Sequence, residues 1–174
     1  MLYIYVDGSC LGNQNVDKDT PAGWGVVIIK DSNDLGRGNG DILHEFHGKV
    51  ITGDDEENFI GAEVGSNNTA ELTAFAEALR WCLTQGGDED IIIKTDSQYA
   101  GNQATGNWKA KANRELVSHV QNLWNEVSEL RELSWEHVKA HSGHRWNERA
   151  DHLAIRAASD EAPESLSFWK PGQR

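Results

Sequence analysis

Two short stretches each end in a carboxylate, and two helical stretches each carry another acid. Ile4-Tyr5-Val6-Asp7-Gly8-Ser9-Cys10 reads as a buried strand that delivers Asp7 and breaks at once into a turn at Gly8-Ser9. Ile91-Ile92-Ile93-Lys94-Thr95 runs in the same way into Asp96-Ser97. Glu71 follows Asn67-Asn68-Thr69-Ala70 at the start of a helical pattern, and Asp151 lies early in the last one. Each acid has an ordinary reading: Asp7 as a turn cap, Glu71 as a solvated helical residue, Asp151 as a partner of a helix dipole. An Asp at the end of a buried strand is costly unless a positive group meets it. Two strands and two helices can bring all four acids to one point, where only cations make the repulsion tolerable. Two divalent ions roughly 3.5–4 Å apart in such a cluster are suited to in-line displacement at phosphorus. An all-oxygen donor set favours Mg²⁺ or Mn²⁺ over zinc.

The elements that must position these acids follow from pattern. After the first strand comes a polar loop at 12–22, a strand at 23–30, a turn at 31–40 and a third strand at 43–51 with Phe46 and Val50 inward. Three strands joined by turns form an antiparallel meander. A loop at 52–66 leads to a helix from 67 to about 85, whose stripe is Leu72, Phe75, Ala76, Leu79, Cys82 and Leu83 and whose stop is Gly86-Gly87. The fourth strand covers 91–95, and a short helix starts near Gln98-Tyr99. A long helix covers 113–130 with Leu116, Val120, Leu123, Trp124 and Val127 inward. A fifth strand at 133–139, a loop at 140–146 and a helix from 147 to about 159 complete an α/β mixed sheet covered by helices. Residues 160–174, with Pro163, Pro171 and Gly172, read as a weakly ordered tail.

Composition bounds the function. The chain has 174 residues, enough for one domain, and its 38% hydrophobic and 25% charged content is that of a globular protein. Acids outnumber bases 28 to 16, a formal charge of −12, which argues against a general nucleic-acid binder but not against an enzyme that meets phosphates through metals. Part of the excess, Asp54-Asp55-Glu56-Glu57, reads as a solvated loop. No apolar run reaches a membrane span, and the chain opens on a strand where a secretory signal would be. Cys10 and Cys82 make no disulfide framework, so a cytoplasmic location and no membrane partner are expected.

Taken in order, Asp7-Gly8-Ser9, Asn67-Asn68-Thr69-Ala70-Glu71-Leu72, Thr95-Asp96-Ser97-Gln98-Tyr99 and Val138-Lys139-Ala140-His141-Ser142-Gly143-His144…Asn147-Glu148-Arg149-Ala150-Asp151 resemble the motifs of ribonuclease H type 1. The resemblance covers residues 1 to about 158. It implies a ribonuclease H-like fold, α/β, with a five-stranded mixed sheet in order 3-2-1-4-5, helices on both faces and a catalytic domain over 1–159. It implies a metal-dependent endonuclease that hydrolyses the RNA strand of RNA–DNA hybrids, leaves 5′-phosphate and 3′-hydroxyl ends, and works as a monomer with two Mg²⁺ or Mn²⁺ ions. Asp7 would bridge both ions, Glu71 and Asp96 would complete the ion on the leaving-group side, and Asp151 would hold the other. His141, on a Gly-containing loop, would move protons or help product leave. The backbone at Gly8 and Ser9, with Glu71 beside it, would read the 2′-hydroxyl that marks RNA. Asn13, Asn67 and Asn68 would reach the hybrid's minor groove. Ser66, Asn67 and Asn113 would hold a phosphate of the DNA strand. Each of these polar residues also suits an ordinary turn or cap.

Other residues are weighed separately. His137, His141, His144 and His152 crowd the C-terminal region, but their spacing is not that of a zinc site. Trp24, Trp81, Trp124 and Trp135 read as core, while Trp108 and Trp146 fall in loops where they could touch substrate. A basic protrusion found in many relatives is reduced here to Lys109, Lys111 and Arg114, which predicts weak, salt-sensitive hybrid binding that a grafted protrusion would strengthen. Two other readings stay open: a catalytically silent hybrid-binding module, and another nuclease of the same fold. DNA exonucleases of that fold usually carry Asp-x-Glu on the first strand, where this chain has Asp7-Gly8-Ser9.

Overall fold

A computed structural model describes residues 1–30, 38–85 and 87–173. Most of the turn expected at 31–40, and Gly86 of the expected helix stop, lie outside the described residues. Strand β1 (Leu2–Cys10) pairs antiparallel with β2 (Ala22–Lys30), which pairs antiparallel with β3 (His44–Lys49). On its other side β1 pairs parallel with β4 (Ile91–Thr95), and β4 with β5 (Leu133–His137). The sheet order is β3-β2-β1-β4-β5, as expected. The two edge strands, β3 and β5, are each shorter than the sequence pattern suggested.

Alternation along β1 and β2 splits the interior in two. Leu2, Ile4 and Val6 of β1, with Trp24, Val26 and Ile28 of β2, face helices α1 (Asn67–Thr84), α2 (Gln98–Ala104) and α3 (Arg114–Leu130). Leu72, Phe75 and Leu79 of α1 and Leu116 and Val120 of α3 fill this large core. Phe46 and Val50 are half-buried against it, as are Trp81, Trp124 and Trp135. Tyr5, Val27 and Ile29 point to the opposite face, under helix α4 (Arg145–Ala158), with Trp146, Ala150 and Leu153.

Four sequence readings change here. Strand β1 does not break after Asp7: Gly8, Ser9 and Cys10 keep pairing with Trp24, Gly23 and Ala22. Helix α4 starts at Arg145, two residues early, because His144 caps it; the ring Nδ1 accepts the Trp146 backbone N–H at 3.3 Å while the ring stacks on Tyr5. Trp146 therefore lies in the first helical turn and is wholly buried, not displayed in a loop. The segment after Asp160, for which composition suggests little order, contacts α4: Trp169 is buried and His152 accepts the Glu164 backbone N–H at 2.9 Å.

Candidate active site

β1 outlasts its parallel neighbour. The β1–β4 register ends at Val6 opposite Thr95, so Asp7 and Asp96 are the first residues beyond the last pair. The carboxyl ends of neighbouring parallel strands open a crevice, the usual place for a site in an open α/β sheet. Helix α1 brings the third acid. Ser66 caps it by accepting the Thr69 N–H at 3.1 Å, and the Thr69 hydroxyl accepts the Ser66 N–H at 2.9 Å. Gly8 then lets the first turn of α1 lie against β1: a Cβ there would collide with the backbone of Ala70 and Glu71. On the other face, Gly25 sits opposite Asp7 in the β1–β2 register, and a Cβ on it would meet Ala150 O at 2.5 Å. The missing side chain lets α4 settle beside Asp7 and carries Asp151 with it.

Oxygens of Asp7, Glu71 and Asp96 lie within 4.8 Å of one another. Asp7 is 3% exposed and Glu71 8%. Burial, then the charges of Glu71, Asp96 and Asp151, hold the Asp7 carboxyl well above the ordinary Asp range. Burial pushes Glu71 up to about 8, partly opposed by hydrogen bonds from Asp7 and the Gly8 backbone. Burial and the charge of Asp151 raise Asp96 as well, with His141 and His137 acting against the shift. Without a cation, burial and mutual repulsion thus favour the protonated forms of these acids. The Gly8 N–H donates to Asp7 Oδ1 at 2.9 Å and orients that carboxyl. Glu71 Oε2 is buried with no hydrogen-bond partner. An orphaned buried oxygen within reach of two further carboxylates fits a hard divalent ion.

Asp151 stands in a second group with His141 and Glu148, again within 4.8 Å of one another. His141 is exposed, with φ +54°, on a turn closed by the Ser142 hydroxyl donating to Lys139 O at 2.8 Å. Glu148 escaped the sequence reading. Its signal was its place three residues before Asp151, which puts both acids on one helical face; an acid in a first turn otherwise passes as a dipole partner. Of the four histidines considered, His144 is stacked on Tyr5 and His152 is buried beneath the C-terminal segment.

The polar residues expected around substrate are divided. The Asn67 N–H donates to Asn13 Oδ1 at 3.1 Å, which joins the loop after β1 to the start of α1. Ser66 is engaged in its cap. Asn113 takes the left-handed conformation at the start of α3, and its amide donates to Tyr99 Oη at 3.2 Å. Asn68 and Asn113 line one cleft of about 620 Å³ with Tyr99, Trp108, Lys109 and Lys111. Gly8 and Ser9 lie on the partly open stretch of β1 beyond Asp7.

This strand order, with acids gathered where β1 and β4 part, defines a ribonuclease H-like fold. The chain belongs to the ribonuclease H family, whose model, described as RNase H, matches residues 1–159. A ribonuclease H of Aeromonas salmonicida is 36% identical, with 97% of this chain and 96% of the relative covered. One from a Cyanothece species is 30% identical over 92% and 91%. Among solved structures, the compost-derived LC11 ribonuclease H1 in complex with an RNA/DNA hybrid matches with a TM-score of 0.66 at 25% identity, covering 92% of this chain and 98% of that one. Ribonuclease H1 of the halophilic archaeon Halobacterium salinarum gives 0.64 at 26% identity, covering 91% and 98%.

Proposed function

We propose that this protein is a divalent-metal-dependent endonuclease that hydrolyses the RNA strand of RNA–DNA hybrids. Family membership and the hybrid held by a structural neighbour support the substrate. The observation that carries the chemistry is the buried trio Asp7, Glu71 and Asp96 with its unpartnered Glu71 oxygen. These three, with Asp151, would hold Mg²⁺ or Mn²⁺, two ions when substrate is present. Bound ions would neutralise the cluster, lower the pKa of the attacking water and stabilise charge developing on the phosphate.

The chain's own groups do the rest. Gly8 fixes the Asp7 carboxyl through its N–H and, with Ser9 and Glu71, faces the 2′-hydroxyl that distinguishes RNA. Asn13, Asn67 and Asn68 reach the minor groove, and Asn113 and Ser66 meet a phosphate of the DNA strand. Lys109 and Lys111 add charge and Trp108 an exposed aromatic face in the same cleft. His141, exposed beside Asp151, exchanges protons with solvent and aids product release. Hydrolysis adds the oxygen of water to phosphorus and breaks the P–O3′ bond. The ends are then a 5′-phosphate and a 3′-hydroxyl, the latter taking up a proton. Unpaired Cys10 and Cys82 suit a reducing cytoplasm, and we assign a monomer there. No described helix is long and apolar enough to cross a membrane.

End-labelled RNA–DNA hybrid, duplex DNA and duplex RNA, each with Mg²⁺, Mn²⁺ or EDTA, test the reading. Internal cuts in the RNA of the hybrid alone, abolished by EDTA, are expected. Retention of hybrid without cutting would mean a silent binding module, and cutting of duplex DNA another nuclease.

A further inference from the structure

We propose that residues 160–173 form a strap that sets the position of α4, and through it Asp151, and so tunes how tightly the site binds its metal. The inference rests on the nuclease reading above. Helix α4 is held from two sides. Towards the sheet it rests on Gly23 and Gly25, where a Cβ would meet Ala154 O or Ala150 O at 2.5 Å. Such a contact fixes how near the helix comes to the sheet, but smooth glycine surfaces do not fix how far it slides or turns. Trp146 and Leu153 pack on the sheet and His144 holds the start of the helix, and the outer side adds directional restraint next to the acid itself, at Arg149 and His152, the neighbours of Asp151 two before and one after it.

Arg149 is 3% exposed, and all three guanidinium nitrogens are used. Nε and Nη2 donate to the two carboxylate oxygens of Glu45 on β3 at 3.1 and 2.9 Å. Nη1 donates to Glu164 O at 2.9 Å. The guanidinium plane lies over the Trp169 ring, 5.2 Å from its centroid, and Trp169 is 4% exposed. One side chain thus ties α4 to the far edge of the sheet and to the strap, in the planar, two-pronged geometry that only arginine offers. His152, wholly buried, accepts the Glu164 N–H at 2.9 Å, and its ring lies 5.9 Å from that of Trp169. Glu164 therefore gives both its backbone groups to residues flanking Asp151. Further along, Arg156 donates to Glu161 at 3.1 Å and Ala162 O at 3.3 Å. Arg149 and Trp169 touch no reacting atom; they are positioning residues.

The test uses the full chain and Mn²⁺ alone. Calorimetric titration without substrate compares the wild type with Trp169→Ala, Trp169→Leu and Trp169→Phe, beside the Mn²⁺ dependence of hybrid cleavage. Loss of groups that orient a metal ligand typically weakens binding at least about tenfold. Trp169→Ala is expected to bind Mn²⁺ about tenfold more weakly, to need correspondingly more Mn²⁺ for half-maximal cleavage, and to recover the wild-type kcat at saturation. Trp169→Phe, which keeps an aromatic face for Arg149, should restore most of the affinity. Trp169→Leu keeps apolar volume without that face and serves in place of the Ala variant if the latter does not fold. Folded Ala or Leu variants that melt earlier yet bind Mn²⁺ as the wild type does would overturn the strap, leaving it a stabilising segment only. A flat wild-type isotherm would overturn the metal reading itself. Metal binding without hybrid cleavage would overturn the nuclease reading while the affinities still decide the strap.

Discussion

Under α1 and α3 the sheet buries Ile4, Val6, Val26, Ile28 and Ile93 against Leu72, Phe75, Leu79, Leu116 and Val120. Under α4 it has Tyr5, Val27 and Ile29 against Trp146, Ala150 and Leu153, with Gly23 and Gly25 where the helix comes nearest. Each face delivers acids to the same crevice: Glu71 on α1, Asp151 and Glu148 on α4. The first face is held by apolar area, which is non-directional and shared among many side chains. The second is held by close backbone approach and a few directional ties: the His144 cap, the Arg149–Glu45 pair and the Trp169 strap. Glu71 is thus positioned redundantly, and Asp151 by parts that can be removed singly.

The largest expected effect falls on Asp7, where the two faces meet. Asp7→Asn removes a carboxylate from the centre of the cluster, where it would act as a metal ligand on the proposed mechanism, and metal stabilisation of the transition state is worth several kcal/mol. Hybrid cleavage at saturating metal should drop by about a thousandfold or more. A normal rate would dismiss the metal assignment. Next comes His141→Ala, beside Asp151. If His141 transfers protons as proposed, its loss should cost on the order of a hundredfold, the lower end for such groups, and measurable single-turnover cleavage should persist.

A paired experiment probes the contrast between the faces. Leu79→Ala opens a cavity in the large core and should cost about 2–5 kcal/mol of stability, with the cleavage rate of the folded protein unchanged. Gly25→Ala forces a Cβ to within 2.5 Å of Ala150 O and 2.8 Å of the Leu153 Cβ. It should cost only about 1–3 kcal/mol, yet lower cleavage or metal affinity by lifting Asp151 away. Urea melts and metal titrations on both variants would show it. Equal effects on activity would erase the distinction.

The smallest effect is one of pH. Folding raises the pKa values of Asp7, Glu71 and Asp96, so the unfolded chain gives up these protons more readily than the folded one. The stability they contribute is complete below the ordinary carboxylate range, near 4.5 for Glu, and is lost as pH climbs through the folded value of Glu71, about 8. Metal-free protein should therefore show a Tm that falls by several degrees over that window, and Mg²⁺ or Mn²⁺ should raise it most at the alkaline end. Asp7→Asn, which relieves the repulsion, should flatten the profile. A metal-free Tm that rises across the window would contradict the raised values.

Much of this molecule could be read along the chain because the relevant physics is local. Alternation in Ile4–Val6, the apolar run Ile91–Ile93, the helical stripe Leu72–Phe75–Leu79 and the polar residues around Ser66 each depend on neighbours a few positions away, and they carried the positions of the strands, the α1 boundary and the residue types of the site, while the sheet order came from the resemblance to ribonuclease H type 1. Misreadings arose where a distant partner intervenes. Cys10 stays in a strand because Ala22 pairs with it. Trp146 is buried because His144 stacks on Tyr5, 139 residues away, and starts α4 early. Trp169 acquires a place because Arg149, already paired with Glu45, offers it a flat cation. Glu148 and Asp151 share a face of α4, but they reach His141 only once the loop before α4 has folded back. Repeat patterns in one strand or helix record which side is apolar; they hold no information on which remote backbone will approach. That approach, through Gly8 and Gly25, is what turns scattered acids into a site.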